Sequence, residues 1–511
     1  MKKINILLLL LCGVVFLKAQ DRRYIDPVFD NVTLTQNIRY GVNATALAIS
    51  QAGQAIPQQL LLDVYAPEGD AETSRPIVLV FHTGNFLPKN TNGGPNGVKE
   101  DSTVVEVCKR LAKMGYVAAS VDYRLGWNPV DPVQSNRIFG IINAAYRGVQ
   151  DARTAIRFFK RSVKESSNPY GIDTTKMVVW GVGTGGYISL NTAALDAYNK
   201  VLLPKFTTVV GGVPFPMVVE SINGDINGTS VGVVPPGIPY PFPAGDTLCY
   251  PNHVGYTSDF QLAVNMGGAM GDSSWLDAGQ VPIISYHVPS DPFAPYNCAV
   301  LNVPPPINLP VVDVCGSNVV SIVQDGFGNN AVWKDAGFVD PLSQLMASRN
   351  GGREGLAPFP SNDPTDAGRW DFYDPNDPTV NPPFPSDPPD PVTARLYIDT
   401  IMAYFAPRAC VALGLDCDLD GISSTKEILG ANEVGLKMMP NPAYAEVSFQ
   451  SATEFPIQDI QVFDLSGRLV QSAINVKNNS YRLNRGSLPN GMYIVKLRFE
   501  KGIVTQKLVF N

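Results

Sequence analysis

Apolar positions along this chain follow two rhythms. In the first, short runs that are apolar almost throughout alternate with amphipathic stretches: LLLDVYAP, PIVLVFH at 76–82, YVAASVDYR at 116–124, MVVWG at 177–181 and PIISYHV at 282–288. Runs apolar on both faces, separated by helical periodicity, predict a parallel sheet covered on both sides. Helices are predicted over Ser102–Met114, over 135–163 and directly after MVVWG, in GVGTGGYISLNTAALDAYN. From about 206 to 280 the rhythm breaks into Pro- and Gly-rich segments such as VPPGIPYPFPAGD, which read as an insertion. Residues 356–391 are dense in proline, so little regular structure is expected there before a helix at 396–405.

After about residue 436 the period shortens to two. EVSFQ, IQDIQVFDLSGRLVQS, GMYIVKLRF and IVTQKLVFN alternate apolar and polar residues, with turn chemistry at Asn441-Pro442, Ser466-Gly467 and Asn490-Gly491. That pattern predicts a small antiparallel sandwich. The expected organisation is an α/β domain over 20–430, with a mostly parallel sheet, helices on both faces and the insertion. An all-β, Ig-like sandwich then follows over 436–511.

Composition narrows the function classes. The chain has 511 residues, 45% hydrophobic and 17% charged, with a formal net charge of −7. It is too apolar for a disordered chain, and it lacks the basic footprint of a nucleic-acid partner. Residues 1–19 pair Lys2 and Lys3 with an apolar run ending near Ala19, which reads as a secretory signal peptide. No later stretch is long and apolar enough to cross a membrane, so the mature chain is expected to lack a transmembrane segment.

Export makes disulfides available to Cys108, Cys249, Cys298, Cys315, Cys410 and Cys417. Short loops favour Cys298–Cys315 and Cys410–Cys417, while Cys108 lies on the apolar face of a helical pattern and is expected to be a buried thiol. No Cys/His spacing suggests zinc.

Four C-terminal segments carry a specific resemblance: PNPA, VFDLSGRLV, NGMYIVKL and the terminal KLVFN. In this order they resemble the C-terminal sorting domain of the type IX secretion system of Bacteroidetes. The resemblance implies handling by that secretion machinery, passage through periplasm and outer membrane, and a final place at the cell surface or in the medium.

Upstream, VLVFHTGNF at 78–86, GYVAASVDYRLGW at 115–127, QDARTAIRFFK at 150–160, VVWGVGTGGY at 178–187 and HVPSDPFAP at 287–295 come in one order. Together they resemble secreted carboxylesterases and lipases of the α/β-hydrolase fold. That resemblance implies a serine on a strand-to-helix turn, an acid and a histidine base, in that chain order. Here the turn reads Gly181-Val182-Gly183-Thr184-Gly185, so the nucleophile position is Gly183. Asp291 matches the acid. The base should follow it, yet the chain's three histidines are His82, His253 and His287. His82 opens the oxyanion-type loop, His253 lies in the insertion, and His287 ends a strand before the acid.

Losing nucleophile or base in such a unit lowers turnover by up to ~10⁶. The leading expectation is therefore a non-catalytic hydrolase homologue with a binding or structural role. The alternative is an ester hydrolase using Thr184 with an atypical base such as His253. Backbone N–H groups at Thr83, Gly84 and Thr184 could still cradle an acyl or carboxylate ligand. No cofactor is required by either reading.

Asp416, Asp418, Asp420, the Ile422 carbonyl and Glu427 fit the calcium loop pattern D-x-[DN]-x-[DN]-G-x5-E. The same stretch also reads as a capping box, Ser424 to Glu427, for a helix over TKEILGA.

Overall fold

In this computed structural model the described residues are 22–47, 52–89, 91–92, 94–210, 212–238, 240–303, 307–374, 390–422, 427–464, 469–473, 476–499 and 502–511. The signal peptide and the Ser466-Gly467 turn lie outside them. The chain divides into two compact units, residues 1–330 with 346–418, and residues 331–345 with 419–511.

The first unit is built on an eight-stranded sheet: β1 (Val32–Thr45), β2 (Ile56–Pro67), β3 (Arg75–Phe81), β4 (Val117–Val121), β5 (Ile172–Val182), β6 (Leu262–Met266), β7 (Ile283–His287) and β8 (Leu356–Pro358). Their spatial order is β1-β2-β4-β3-β5-β6-β7-β8. Antiparallel pairs join β1 to β2 and β2 to β4, and every later neighbour is parallel. This is the sheet of the α/β-hydrolase fold, with the carboxyl ends of β3 to β8 on one edge, where ligands are met in open α/β sheets.

The helices follow from the pattern. In α1 (Ser102–Lys113) Val104, Val107, Cys108 and Leu111 recur at helical spacing and are all buried. Each such side chain contributes about 1.5–3 kcal/mol by leaving water. The Cys108 thiol is buried and free, as expected. α2 (Gln134–Glu165) packs Ala152, Ala155, Ile156 and Phe159 into a core with Ile77, Leu79 and Phe81 of β3, and α3 (Thr184–Ala194), which starts at the turn after β5, is buried almost throughout. α4 covers Ser317–Phe327.

The predicted helix at 396–405 is longer, α5 (Pro391–Ala412). Asp390 caps it by accepting from the N–H groups of Val392 and Thr393, and Pro391 sits at the first turn where no donor is needed.

Two boundaries need correction. The insertion does not run to 280, because β6 within it pairs with both β5 and β7 in the middle of the sheet. The proline-dense stretch contains β8, which pairs with β7 from Ser285 to His287. LAVNM and LAP are too short to show a period, and the sheet neighbours decide both.

Cys298 and Cys315 are cross-strand partners and form a disulfide, as do Cys410 and Cys417.

One buried ion pair fixes the loop after β4. Asp151 on α2 accepts from the Arg124 backbone N–H at 2.8 Å and from its guanidinium at 2.9 Å, with both side chains out of water. Removing one partner strands the other charge in the core.

In the second unit a five-stranded sheet and a three-stranded sheet enclose Val447, Phe449, Ile460, Val462, Val495, Leu497 and Leu508. The alternation along Gly491–Arg498 places every second residue in that core. Glu427–Ile428 is a strand paired with Gly502–Ile503, so the helix expected over TKEILGA does not form there. The β unit therefore starts before residue 436. Cross-strand hydrogen bonding outweighs the local capping signal.

Asp151→Asn is expected to lower unfolding stability by about 3–5 kcal/mol, measured by urea denaturation of the oxidised protein.

Candidate functional site

Strand β5 ends in the turn that feeds α3. Gly183 has φ 52° and ψ −112°, a left-handed geometry that strains any residue with a Cβ. Its N–H donates to the Met266 carbonyl at 2.7 Å, tying the turn to β6. The glycines on either side are required by close approach. A Cβ on Gly181 would strike the Gly185 carbonyl, and one on Gly185 would strike the carbonyl of Phe81 at the end of β3. The first turn of α3 thus lies directly on the sheet edge.

The space in front of Gly183 is filled. A Cβ there would collide with the Thr83 hydroxyl and stand 2.9 Å from Thr83 Cβ. Thr184 does not face outward with a free hydroxyl, because its Oγ1 accepts from the Asn85 N–H at 2.7 Å. Asn85 and Phe86 are left-handed (φ 57° and 55°), and the Asn85 carbonyl accepts from Trp127 Nε1 at 2.7 Å. Of the residues expected to form an oxyanion-type cradle, Thr83 lies against Gly183 and Thr184 is bonded by Asn85, while Gly84 packs beside Gly97 and Asn92. The neighbouring Asn85 donor is already spent inside the protein.

His82 is buried and stacked on Tyr123, with ring centroids 4.3 Å apart. Its Nδ1 lies 2.6 Å from the Thr83 carbonyl, so that nitrogen carries the proton and donates. Burial pushes its pKa down to about 4. Nε2 faces Asp122 Oδ1 at 3.5 Å, and burial lifts the Asp122 carboxyl to about 7. The ring braces the loop.

Asp291 is buried after β7. Its Oδ1 accepts from the N–H groups of Phe293 at 2.7 Å and Ala294 at 3.1 Å. Burial, with a smaller push from Asp366, raises its pKa well above the usual carboxylate range. The loop after β8, residues 359–372, is where a base would arrive by topology, and it contains no histidine.

His287 is engaged elsewhere. Its Nε2 is 3.0 Å from the Ala294 carbonyl and must donate, so Nδ1 accepts from Ser317 Oγ at 2.7 Å. Ser317 Oγ also accepts from Asn265 Nδ2 at 3.0 Å. This serine–histidine contact is sealed, with both residues at 0% exposure. Its parts are 30 residues apart, and sequence reasoning did not find it; only the pairing of a strand end with a helix start brings them together. His253 Nε2 is 2.7 Å from the Tyr40 carbonyl, far along the chain from the turn.

Asp416, Asp418, Asp420 and Ile422 lie in loop and turn structure, and Glu427 stands in a strand. Residues 423–426 between them lie outside the described residues. Among the described residues no group of three or more His, Cys, Asp or Glu side chains is placed to hold a metal ion.

Two family models match the chain. Residues 62–208 match the BD-FAE family model, and residues 437–511 match the secretion system C-terminal sorting domain. The chain carries an esterase-like α/β-hydrolase domain and a type IX sorting domain. The sorting domain marks it for the cell surface or for secretion, and among the described residues no helix is long and apolar enough to cross a membrane.

Curated relatives match over parts only. Non-reducing polyketide synthase atr1 of Stereocaulon alpinum is 29% identical over 136 residues, 26% of this chain and 5% of that protein. The neuroligin-like protein glit-1 of Caenorhabditis elegans is 26% identical over 159 residues, 30% of this chain and 18% of that protein. Gut esterase 1 of the same organism is 26% identical over 122 residues, 22% and 19% respectively. The aligned region thus spans less than a fifth of each relative.

Among solved structures, a thermophilic esterase of the planctomycete Thermogutta terrifontis aligns at 15% identity and TM-score 0.33, over 70% of this chain and 90% of that one. A truncated carbohydrate esterase from gut microbiota aligns at 12% and TM-score 0.32, over 76% and 98%.

His287 is neutral in the fold, its pKa pushed by burial from 6.5 to about 4. In the unfolded chain it takes up a proton below about 6.5, so its contribution is complete above that pH and is lost as pH falls towards 4. His287→Asn is expected to flatten the stability–pH curve between pH 6.5 and 4 by up to about 1.4 kcal/mol per pH unit, measured by urea midpoints across that range.

Proposed function

We propose that this is an exported α/β-hydrolase-fold protein that does not run the serine–histidine mechanism of its fold and serves outside the inner membrane as a binding or structural component. The observation that carries the proposal is the contact between Thr83 and Gly183. The place where a nucleophile's Cβ would stand is taken by a packed threonine. A serine lost by a single change would leave room behind it; here the facing residue has closed the gap.

Three further features support the same reading. The Asn85 N–H, on the loop after β3 beside the turn, donates to the Thr184 hydroxyl. Asp291 is satisfied by backbone donors rather than by an imidazole. The loop after β8 has no histidine to offer. An acid held above its ordinary pKa is also poorly suited to stabilise an imidazolium.

The alternative, ester hydrolysis by Thr184 with His253, finds both groups committed elsewhere. The threonine hydroxyl accepts from Asn85, and the histidine is bonded to the Tyr40 carbonyl.

The purified chain is expected to show no covalent labelling by a fluorophosphonate probe and no turnover of p-nitrophenyl acetate or butyrate above buffer. Labelling and turnover that both disappear in Thr184→Ala would overturn the proposal.

The steric half is tested separately. Gly183→Ser is expected to lose roughly 2–5 kcal/mol, from the left-handed backbone and the collision with Thr83 together. Adding Thr83→Gly should return about 1–3 kcal/mol of it. A double-mutant cycle in urea that shows no coupling would mean that Thr83 does not fill the position.

A further inference from the structure

Away from the turn, the loop between β3 and α1 holds a lysine that is shut off from water. Lys99 is 2% exposed, and Asp63 on β2, which faces it, is 1% exposed. Lys99 Nζ stands 3.1 Å from Asp63 Oδ1 and 3.1 Å from Oδ2. Equal distances put the nitrogen in the plane midway between the two oxygens, which also contains the carboxyl carbon.

Both partners are held in place by their neighbours. Asp63 sits on a strand paired on both sides, and its Oδ1 also accepts from the Asn37 N–H of β1 at 2.7 Å. The Lys99 N–H donates to Asp122 Oδ1, just past β4, at 2.8 Å.

A third group meets the same amine. The Glu100 carboxylate contacts Lys99 Nζ, and its side chain is 52% exposed. The amine therefore has one carboxyl partner sealed in the fold and a second that reaches solvent. Burial alone would push the Lys99 pKa down, but the hydrogen bonds to Glu100 and Asp63 carry it above the ordinary value. The resting pair is thus ammonium and carboxylate, and removing both charges from water carries a desolvation penalty.

We propose that Lys99 and Asp63 condense into an intramolecular isopeptide bond, with Glu100 as the proton carrier. One ammonium proton passes to Asp63 and makes it a carboxylic acid, and the neutral amine attacks its Cγ. A second Nζ proton travels through Glu100 to the departing Asp63 hydroxyl, which leaves as water. One C–N bond forms, one C–O bond breaks, Glu100 is regenerated, and no oxidant or reductant is consumed. Groups fixed in this way react as if at effective concentrations on the order of 10⁵ M or more. The product replaces two buried charges by a neutral amide, and it ties β2 to the loop entering α1 across 36 residues. The bond is independent of whether the turn at Gly183 is catalytic.

The test reads the covalent state of the full chain by mass spectrometry. Trypsin should release residues 40–89 joined to residues 90–109, lighter than the two peptides together by one water. Lys99→Arg, which keeps a cation opposite Asp63, should abolish the joined peptide. Glu100→Gln changes an exposed side chain, so the variant should fold and leave most of the pair unjoined. Its Tm should fall by roughly 5–10 °C through loss of the cross-link, whereas loss of an exposed ion pair alone moves Tm by about 2 °C or less. Cleavage after Lys99 in the unaltered chain, with Asp63 recovered unmodified, would overturn the proposal and leave an ordinary buried ion pair. An undiminished joined peptide in Glu100→Gln would overturn the role given to Glu100.

Discussion

The hydrolase unit depends on one close approach. The start of α3 lies so near the edge of the sheet that Gly181 and Gly185 have no room for side chains, and the chain reverses between them through the left-handed Gly183. Hydrolases use this geometry to push a nucleophile clear of the backbone. In this chain the turn carries glycine at position 183. The same approach packs α3 into the core between β3, β5 and β6, so the turn has a structural reason to survive.

Around the turn, polar groups are satisfied within the protein rather than left for a substrate. Thr184 caps Asn85, His82 braces Thr83, Asp291 is held by Phe293 and Ala294, and His287 is shared by Ser317 and Ala294. Each pairing removes the penalty of a buried unsatisfied group, and each also removes a donor or acceptor from chemistry. A mechanism needs polar groups whose best partner is the transition state.

Much of this was legible in the sequence, and the residues show why. Val104, Val107, Cys108 and Leu111 announce α1, and the unbroken apolar run of PIVLVFH announces a strand buried on both faces. The alternation in GMYIVKLRF announces the sandwich. All are local statements about which side chains leave water. The strands at Leu262–Met266 and Leu356–Pro358 were hidden because five and three residues are too few to establish a period. Glu427–Ile428 was misread because a local helix start competes with pairing to a segment some 75 residues later, and pairing prevails.

The sequence by itself determined the two-part architecture, the glycine-rich turn at 181–185, the three histidines and the two short-loop disulfides, because these rest on residue identity and on neighbours close along the chain. Only the tertiary structure decided that Thr83 occupies the space before Gly183, that Ser317 takes His287, and that Asp151 pairs with Arg124. Which groups meet is set by how distant segments close on one another, and that closure is settled by the packing of the whole sheet rather than by any stretch of sequence alone.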